Sequence, residues 1–173
     1  MRRLLAGLVL FSSVAVAAPS LLELLNDNER IQPIELMQRI ESQFPGVIVE
    51  FETDVENGVL VYEIDLINPD DRTTTELDIL ASNGEVLKRK VERLEADDMA
   101  ELAVVKLLVK KQLSFSQLVE MAMQNSNAHL LEAQLDKDLG IAYLELKVMD
   151  ERGKHKLAFD IEKQRPLPLL KWD

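Results

Sequence analysis

Apolar and polar residues follow one pattern from Pro33 onwards, helical spacing first and alternation afterwards. Ile34, Met37 and Ile40 recur at the spacing of one helix face, and Pro33 suits a first helical turn. β-branched and alternating stretches follow, separated by turn sequences such as Asn57-Gly58. The pattern predicts a helix over 33–44 and then an antiparallel meander. Its predicted strands are 47–53, 59–67, 74–80 and 86–91.

The second half of the chain shows the same order. Ser114 is a good N-cap for a helix over 114–125, whose apolar stripe includes Phe115, Leu118 and Val119. The three strands predicted after it are 128–135, 141–149 and 156–162. Pro166 and Pro168 cannot donate ladder hydrogen bonds, so the tail over 167–172 is predicted to be an edge strand or an extended cover.

A further helix is predicted before each of these units, over 20–26 and over 97–111. The second of these is apolar around most of its circumference, which predicts burial on several sides. Its acidic start at Asp97 and Asp98 and its basic end at Lys110 and Lys111 oppose the helix dipole favourably. It either lies between the two halves or forms a dimer or partner contact.

The sequence of the second half aligns with that of the first at one constant shift, which carries Glu50 onto Glu132. This alignment suggests an internal duplication. We call this shift the repeat offset. The predicted fold is therefore α+β, with two tandem repeats that each pack one or more helices on an antiparallel meander of three to four strands. The predicted divisions are 1–17, 18–92 and 93–173. The identities at the repeat offset are Glu50/Glu132, Asp54/Asp136, Gly58/Gly140, Glu63/Glu145, Asp78/Asp160 and Ile79/Ile161.

The segment 1–17 has the pattern of an export signal. Arg2 and Arg3 precede an apolar run to Val16, and Ala15-Val16-Ala17 is a small-x-small cleavage site. The run is too short for a transmembrane anchor, and no later stretch is apolar enough to span a bilayer. We expect a cleavable signal peptide and a periplasmic protein that is not embedded in a membrane.

Composition excludes more functions than it suggests. A net charge of −11 argues against a nucleic-acid partner and against adhesion to an anionic membrane. The absence of cysteine removes disulfides, thiolate metal sites and cysteine nucleophiles. The two histidines, His129 and His155, have no partner at catalytic spacing. The turn at Asn68-Pro69-Asp70-Asp71 offers oxygen donors for calcium but is also an ordinary turn. We expect no enzyme, no cofactor and no resident metal.

Carboxylates alternate with apolar residues along the first predicted meander. This is typical of the solvated face of a half-buried sheet, and it could equally be an acidic recognition surface for a basic partner. Carboxylates placed directly opposite each other would repel, so some should be offset or salt-bridged. Trp172, the only tryptophan, could pack over the sheet or anchor a partner. The candidate partner-binding residues are Glu50, Glu52, Glu63, Asp65, Glu76, Asp78 and Trp172.

Three stretches carry a family resemblance. Residues 34–46, Val61-Tyr62-Glu63-Ile64 and the segment 76–87, which ends Gly84-Glu85-Val86-Leu87, resemble the PepSY domain family. The second half departs from that ending at 164–167. The paired plan is also similar to the β-lactamase-inhibitor-protein architecture, in which two such units present one concave sheet. The resemblance implies an exported domain of the kind found in peptidase propeptides, for which a restraining role toward peptidases has been proposed.

Two functional hypotheses follow. The first is a non-catalytic protein-binding module, a monomer or homodimer, that acts on a peptidase or on the sensor domain of a signalling system. The alternative is a periplasmic receptor for a peptide, a small ligand or calcium in the groove between the repeats. A hydrolase with an unusual site is the weakest interpretation, because no catalytic motif is present.

Overall fold

The computed structural model describes residues 20–96, 98–124 and 126–168. These residues form four helices and eight strands. The helices are α1 (Leu21–Leu25), α2 (Pro33–Gln43), α3 (Met99–Lys111) and α4 (Phe115–Met123). The strands are β1 (Val47–Glu56), β2 (Val59–Asn68), β3 (Thr73–Leu80), β4 (Val86–Arg93), β5 (His129–Asp138), β6 (Ile141–Asp150), β7 (Gly153–Asp160) and β8 (Arg165–Leu167).

All eight strands join one antiparallel sheet in the order β4-β3-β2-β1-β5-β6-β7-β8. Each half is a meander, because short turns connect strands that are neighbours in the chain. The two meanders meet through β1 and β5, where Phe51 lies opposite Ala133. The predicted α+β class is confirmed. A single sheet shared by both halves agrees with what the similarity to the β-lactamase-inhibitor-protein architecture implies, whereas the local pattern gave only the two separate meanders.

Tight turns set the register inside each meander. Asn57 and Gly58 both have positive φ, at 50° and 83°, and they close the β1–β2 hairpin. Left-handed conformations at both central residues match the twist of antiparallel strands. The β1–β2 pairing has an irregularity between Ile48 and Glu50.

The structure corrects the predicted strand near the end of the chain. β7 covers 153–160 and not 156–162, because the loop between β6 and β7 is Glu151-Arg152, shorter than the loop over 69–72 between β2 and β3. As a result, Glu63 lies opposite Asp78 whereas Glu145 lies opposite Ala158. The equivalences Asp78/Asp160 and Ile79/Ile161 are therefore wrong, because Ala158 occupies the place that corresponds to Asp78.

The core lies between the sheet and the pair formed by α2 and α4. These helices contact each other, and both contact β1. The side chains of Phe51 and Tyr62 are fully buried, with ring centroids 5.2 Å apart. Ser114 caps α4 through a reciprocal capping box with Gln117, as its sequence position predicts.

α3 links the two halves. It contacts both β1 and β5, the strands that form the junction. Leu102, Val104, Val105 and Leu108 are buried along one stripe, but Val109 is 56% exposed. The helix therefore lies between the halves as the first alternative predicted, and it is buried on one side only. No helix in the described part of the chain is long and apolar enough to cross a membrane.

Candidate functional site

The carboxylates predicted to bind a partner lie together on one face of the sheet. The strand register places them in two rows that cross β1, β2 and β3 side by side, and in each row the carboxylates are directly opposite one another. Alternate residues of a strand share a face, and the opposite face carries the buried core. The rows are Glu50–Asp65–Glu76 and Glu52–Glu63–Asp78.

The sheet edge supplies cations for the outer carboxylates. Lys88 of β4 lies 3.5 Å from Asp78 and 3.7 Å from Glu76, and Lys90 lies 3.5 Å from Glu76. The expectation that some carboxylates are salt-bridged is therefore confirmed for these two. Across β1 and β2, by contrast, the register sets like charges directly opposite one another.

Four carboxylates remain without an ion pair in the described residues. Glu50 is opposite Asp65 and Glu52 is opposite Glu63, so β1 and β2 hold two like-charged cross-strand pairs next to each other. We call Glu50, Glu52, Glu63 and Asp65 the β1–β2 carboxylate quartet. Glu52 is exposed and the other members are half-buried. Like charges directly opposite each other destabilise a sheet.

The quartet has perturbed ionisation. Burial, followed by the charge of Asp65, raises the pKa of Glu50 to about 7. Burial, followed by the charge of Glu76, raises the pKa of Asp65 to about 6. The pKa of Glu63 is also raised, first by burial and then by Asp78. Each shift has the sign that low hydration and nearby negative charge produce in a carboxylate.

The N-terminal end of α3 adds negative charge to the same place. Glu101 contributes to the raised pKa of Glu50, and Asp98 contributes to that of Asp65. A helix N-terminus normally favours nearby anions. Here its acidic side chains come close to an already acidic face. No local pattern predicts this approach, because α3 and β1 are far apart in the chain.

The second half of the same face carries cations. Lys147 lies beside Glu132 as an ion pair, and Lys156 lies 2.5 Å from Glu145. At the repeat offset, Lys147 takes the place of Asp65. The two halves of the sheet therefore differ in charge although they share a strand plan, and the unpaired acidic charge is concentrated on β1 and β2.

The other predicted candidates fall outside this cluster. Trp172 lies outside the described residues, as does the predicted signal peptide over 1–17. His129 is half-buried, and its Nε2 lies 3.0 Å from Asn26 Oδ1 and its Nδ1 lies 3.5 Å from an Arg30 nitrogen. Burial, and then the charge of Arg30, lowers the pKa of His129.

Arg30 was missed by the sequence interpretation. It is buried, and it donates to the Leu25 carbonyl at 3.0 Å and to the Tyr62 hydroxyl at 2.7 Å. These bonds join α1 to β2, and the contact with His129 extends them to β5. The sequence signal was weak, because an arginine between two predicted helices is usually solvated.

Two places could be examined for cation binding. The carboxylates of Asp54, Glu56 and Glu63 have oxygens within 4.8 Å of one another near the turn of the β1–β2 hairpin. At the turn that the sequence offered for calcium, the Asn68 side chain accepts from the backbone of Asp70 and donates to the Asp71 carboxylate. The second cluster is therefore organised as a turn by its own hydrogen bonds.

Comparisons with known proteins support the resemblance derived from the sequence. Residues 33–90 match the family model PepSY, described as "Peptidase propeptide and YPEB domain". These residues contain α2 and β1–β3 and most of β4, so the predicted PepSY resemblance is confirmed for the first half of the chain. They also contain all six described candidate carboxylates.

The second finding is a solved structure. A crystal structure of a candidate lipoprotein from Clostridium difficile 630 is similar at 19% identity and a TM-score of 0.48, and the match covers 84% of this chain and 95% of that one. No curated protein matches the chain.

Proposed function

We propose that this chain is an exported, non-catalytic protein-binding module whose β1–β2 carboxylate quartet binds a basic segment of a partner protein. One observation carries the proposal. The four carboxylates form two cross-strand pairs of like charge on a partly buried face, and none of the four has an ion pair in the described residues. Cations on a partner would complete this arrangement.

The β1–β2 carboxylate quartet reduces the stability of the fold. A solvated face tolerates carboxylates, but it does not require them to be opposed and half-buried. In the second half Lys147 stands at the place of Asp65 and faces Lys156, so the strand plan itself does not require acids there. Surfaces that reduce stability in this way are commonly kept for function. A bound Lys or Arg would restore favourable pairing and give specificity for a basic partner.

The family description makes a peptidase the first partner to test. The matched model is named for peptidase propeptides, and a propeptide-like domain acts by contact with a peptidase domain. The sensor domain of a signalling system is the other partner in the same class. Neither role needs catalytic groups in this chain, and the described histidines are not paired with a nucleophile.

Export and internal duplication belong to the same proposal. The pattern of residues 1–17 supports a periplasmic location. The ranges 18–92 and 93–173 would be two related units. Three observations support this: the starts of α2, β1 and β2 coincide with those of α4, β5 and β6 at the repeat offset; the pairing irregularities at Ile48/Glu50 and Leu130/Glu132 have the same spacing; and Phe51 faces its own counterpart, Ala133.

A direct test uses a basic peptide and two double variants of equal charge change. Glu52→Gln/Glu63→Gln removes two charges from the quartet, and Glu120→Gln/Glu162→Gln removes two exposed charges elsewhere. Binding of a lysine- and arginine-rich extended peptide is measured by calorimetry at near-physiological salt. We expect the quartet variant to bind at least about tenfold more weakly and the control to bind as wild type. Equal loss in both variants would show non-specific attraction and reject the quartet as the site.

In the described residues, the junction between the halves is occupied by the hydrogen-bonded strands β1 and β5, with α2 against α4. The receptor alternative is therefore proposed at a cluster of carboxylates near the β1–β2 turn, and not in a groove between the repeats. The Asp54–Glu56–Glu63 cluster is the observation that favours calcium. Saturable thermal stabilisation by calcium that disappears in Asp54→Asn would favour this alternative over the protein-binding module.

A further inference from the structure

A buried arginine holds the chain before α2 onto the sheet. We call residues 20–31, which contain α1 and the loop after it, the α1 segment. Within this segment, Arg30 donates to the Leu25 carbonyl at 3.0 Å. Toward β2, Arg30 donates to the Tyr62 hydroxyl at 2.7 Å, and that hydroxyl donates to the Ile31 carbonyl at 2.9 Å. These bonds fix the end of α1 on the loop and the loop on β2.

Arg30 is a buried cation that has no ion pair in the described residues. Its side chain is 8% exposed, and the groups that contact it are a backbone carbonyl, the Tyr62 hydroxyl and a ring nitrogen of His129. Burial raises the pKa of Tyr62, so this hydroxyl keeps its proton. The acidic residues of the same loop, Asp27 and Glu29, are exposed. A buried charge without an opposite charge is costly, so a second cation beside Arg30 is strongly disfavoured.

His129 of β5 completes these contacts, and its two ring nitrogens have different roles. Nε2 lies 3.0 Å from Asn26 Oδ1, which can only accept, so Nε2 carries a hydrogen. Nδ1 lies 3.5 Å from a guanidinium nitrogen of Arg30, which can only donate, so Nδ1 carries none. The surroundings therefore select the neutral ring with its hydrogen on Nε2.

A second proton on His129 opposes this arrangement. It would set one N–H against another and place two positive charges 3.5 Å apart, with no counter-ion at Arg30 in the described residues. Burial, followed by the charge of Arg30, lowers the pKa of His129 accordingly. The other packed elements offer no titratable group to compensate, because the α1 segment presents Asn26 and β6 presents Met149 directly opposite.

We propose that protonation of His129 is a pH-sensitive switch that loosens the α1 segment from the sheet. With the neutral ring, Arg30 and Asn26 both have their partner on β5 and the segment stays docked. With the protonated ring, repulsion from Arg30 drives His129 out of the contact, and the segment opens more often and exposes the buried side chain of Leu25. This switch does not depend on whether the β1–β2 carboxylate quartet binds a partner, so either proposal can fail alone.

Hydrogen exchange of the full chain tests the switch directly. Protection of backbone amides is measured by mass spectrometry at about pH 8 and about pH 5, with correction for the intrinsic exchange rates. We expect amides over 22–31 to lose protection at least about threefold at the lower pH, because opening raises the proton affinity of His129. Amides in the middle of β6 should keep theirs. Equal loss throughout the chain would indicate global unfolding and overturn the proposal.

Two variants assign the effect to one histidine. His129→Gln removes the titrating ring, and His155→Gln removes the second histidine as the matched control. We expect His129→Gln to show the same protection over 22–31 at both pH values, and His155→Gln to behave as wild type. Loss at low pH that persists in His129→Gln would overturn the proposal and assign the effect to carboxylates that titrate in this range, such as Glu50 and Asp65.

A measurement on the wild type keeps the test valid if His129→Gln does not fold. The ring Cε1 proton of His129 is followed by nuclear magnetic resonance across the same pH range. We expect its titration midpoint to coincide with the pH at which amides over 22–31 lose half of their pH-dependent protection. A ring that titrates while these amides keep their protection would show that His129 is not coupled to the segment.

Discussion

Replacing Glu50 by glutamine tests the energetic basis of the proposed site. Glu50 is half-buried, faces Asp65 and has no ion pair in the described residues. Glutamine keeps the size of the side chain and removes the charge. Because the carboxylate is the unfavourable form at this place, we expect Glu50→Gln to stabilise the folded chain at neutral and higher pH.

The magnitude follows from the ionisation of Glu50. Its pKa is raised from 4.5 to about 7, by burial first and then by Asp65. That difference corresponds to about 3 kcal/mol of unfavourable interaction in the charged form. The side chain is partly exposed, so solvent screening reduces this figure, and we expect about 1–2 kcal/mol.

The dependence on pH has a definite sign. Between pH 4.5 and about 7 the folded chain binds more protons at Glu50 than the unfolded chain does. The wild type therefore loses stability as the pH rises through this window, and the loss is complete above it. The difference between Glu50→Gln and the wild type should be near zero at pH 4 and largest at pH 8.

Urea denaturation at pH 4 and pH 8, followed by tryptophan fluorescence or circular dichroism, measures this difference. Glu120→Gln, at an exposed position of α4, is the control, and we expect it to change stability by less than about 0.5 kcal/mol at either pH. A Glu50→Gln variant that is less stable than wild type at pH 8, or whose effect is the same at both pH values, would refute the argument.

Three further predictions test the core and the loop contacts that support the sheet. Phe51→Ala should lose about 3–5 kcal/mol in urea denaturation, because Phe51 is fully buried where the halves meet; a loss below about 1 kcal/mol would contradict its place in the core. The lowered pKa of His129, caused by burial and then by Arg30, predicts that stability falls as the pH drops below about 6.5; His129→Gln should flatten this part of the stability profile, and an unchanged profile would contradict it. Gly46→Ala should cost about 1–3 kcal/mol, because φ is +116° and the added carbon would lie 2.7 Å from the Ile67 carbonyl oxygen; a neutral change in melting temperature would contradict it.

Much of the fold could be predicted from local patterns. The helix at 33–43 and the strands β1 to β4 lie within a few residues of their predicted bounds, because Pro33, Asn57-Gly58 and the apolar spacing act over short distances. The error at β7 has a local cause that a fixed offset cannot detect, namely a loop that is shorter than its counterpart. At the repeat offset, Asp160 and Ile161 still match Asp78 and Ile79, but these identities arise by chance, because the shorter loop has already changed the strand register.

The candidate site could be predicted only in part. Alternation placed the six carboxylates on one side of their strands, and the sheet confirms that they share a face. Whether they were opposed or offset depended on hairpin register, which the turn geometry decides. Arg30 contacts Tyr62 and His129, and both partners are so distant from it in the chain that no local pattern reports these contacts.

The sequence by itself determined the elements, the PepSY resemblance and the acidic side of the first meander, because these depend on periodicity and on residues close together in the chain. Only the tertiary structure decided that β1 joins β5 in one eight-stranded sheet and that acidic residues of α3 approach Glu50 and Asp65. These features depend on contacts between distant segments, and their energies appear only when the chain is packed.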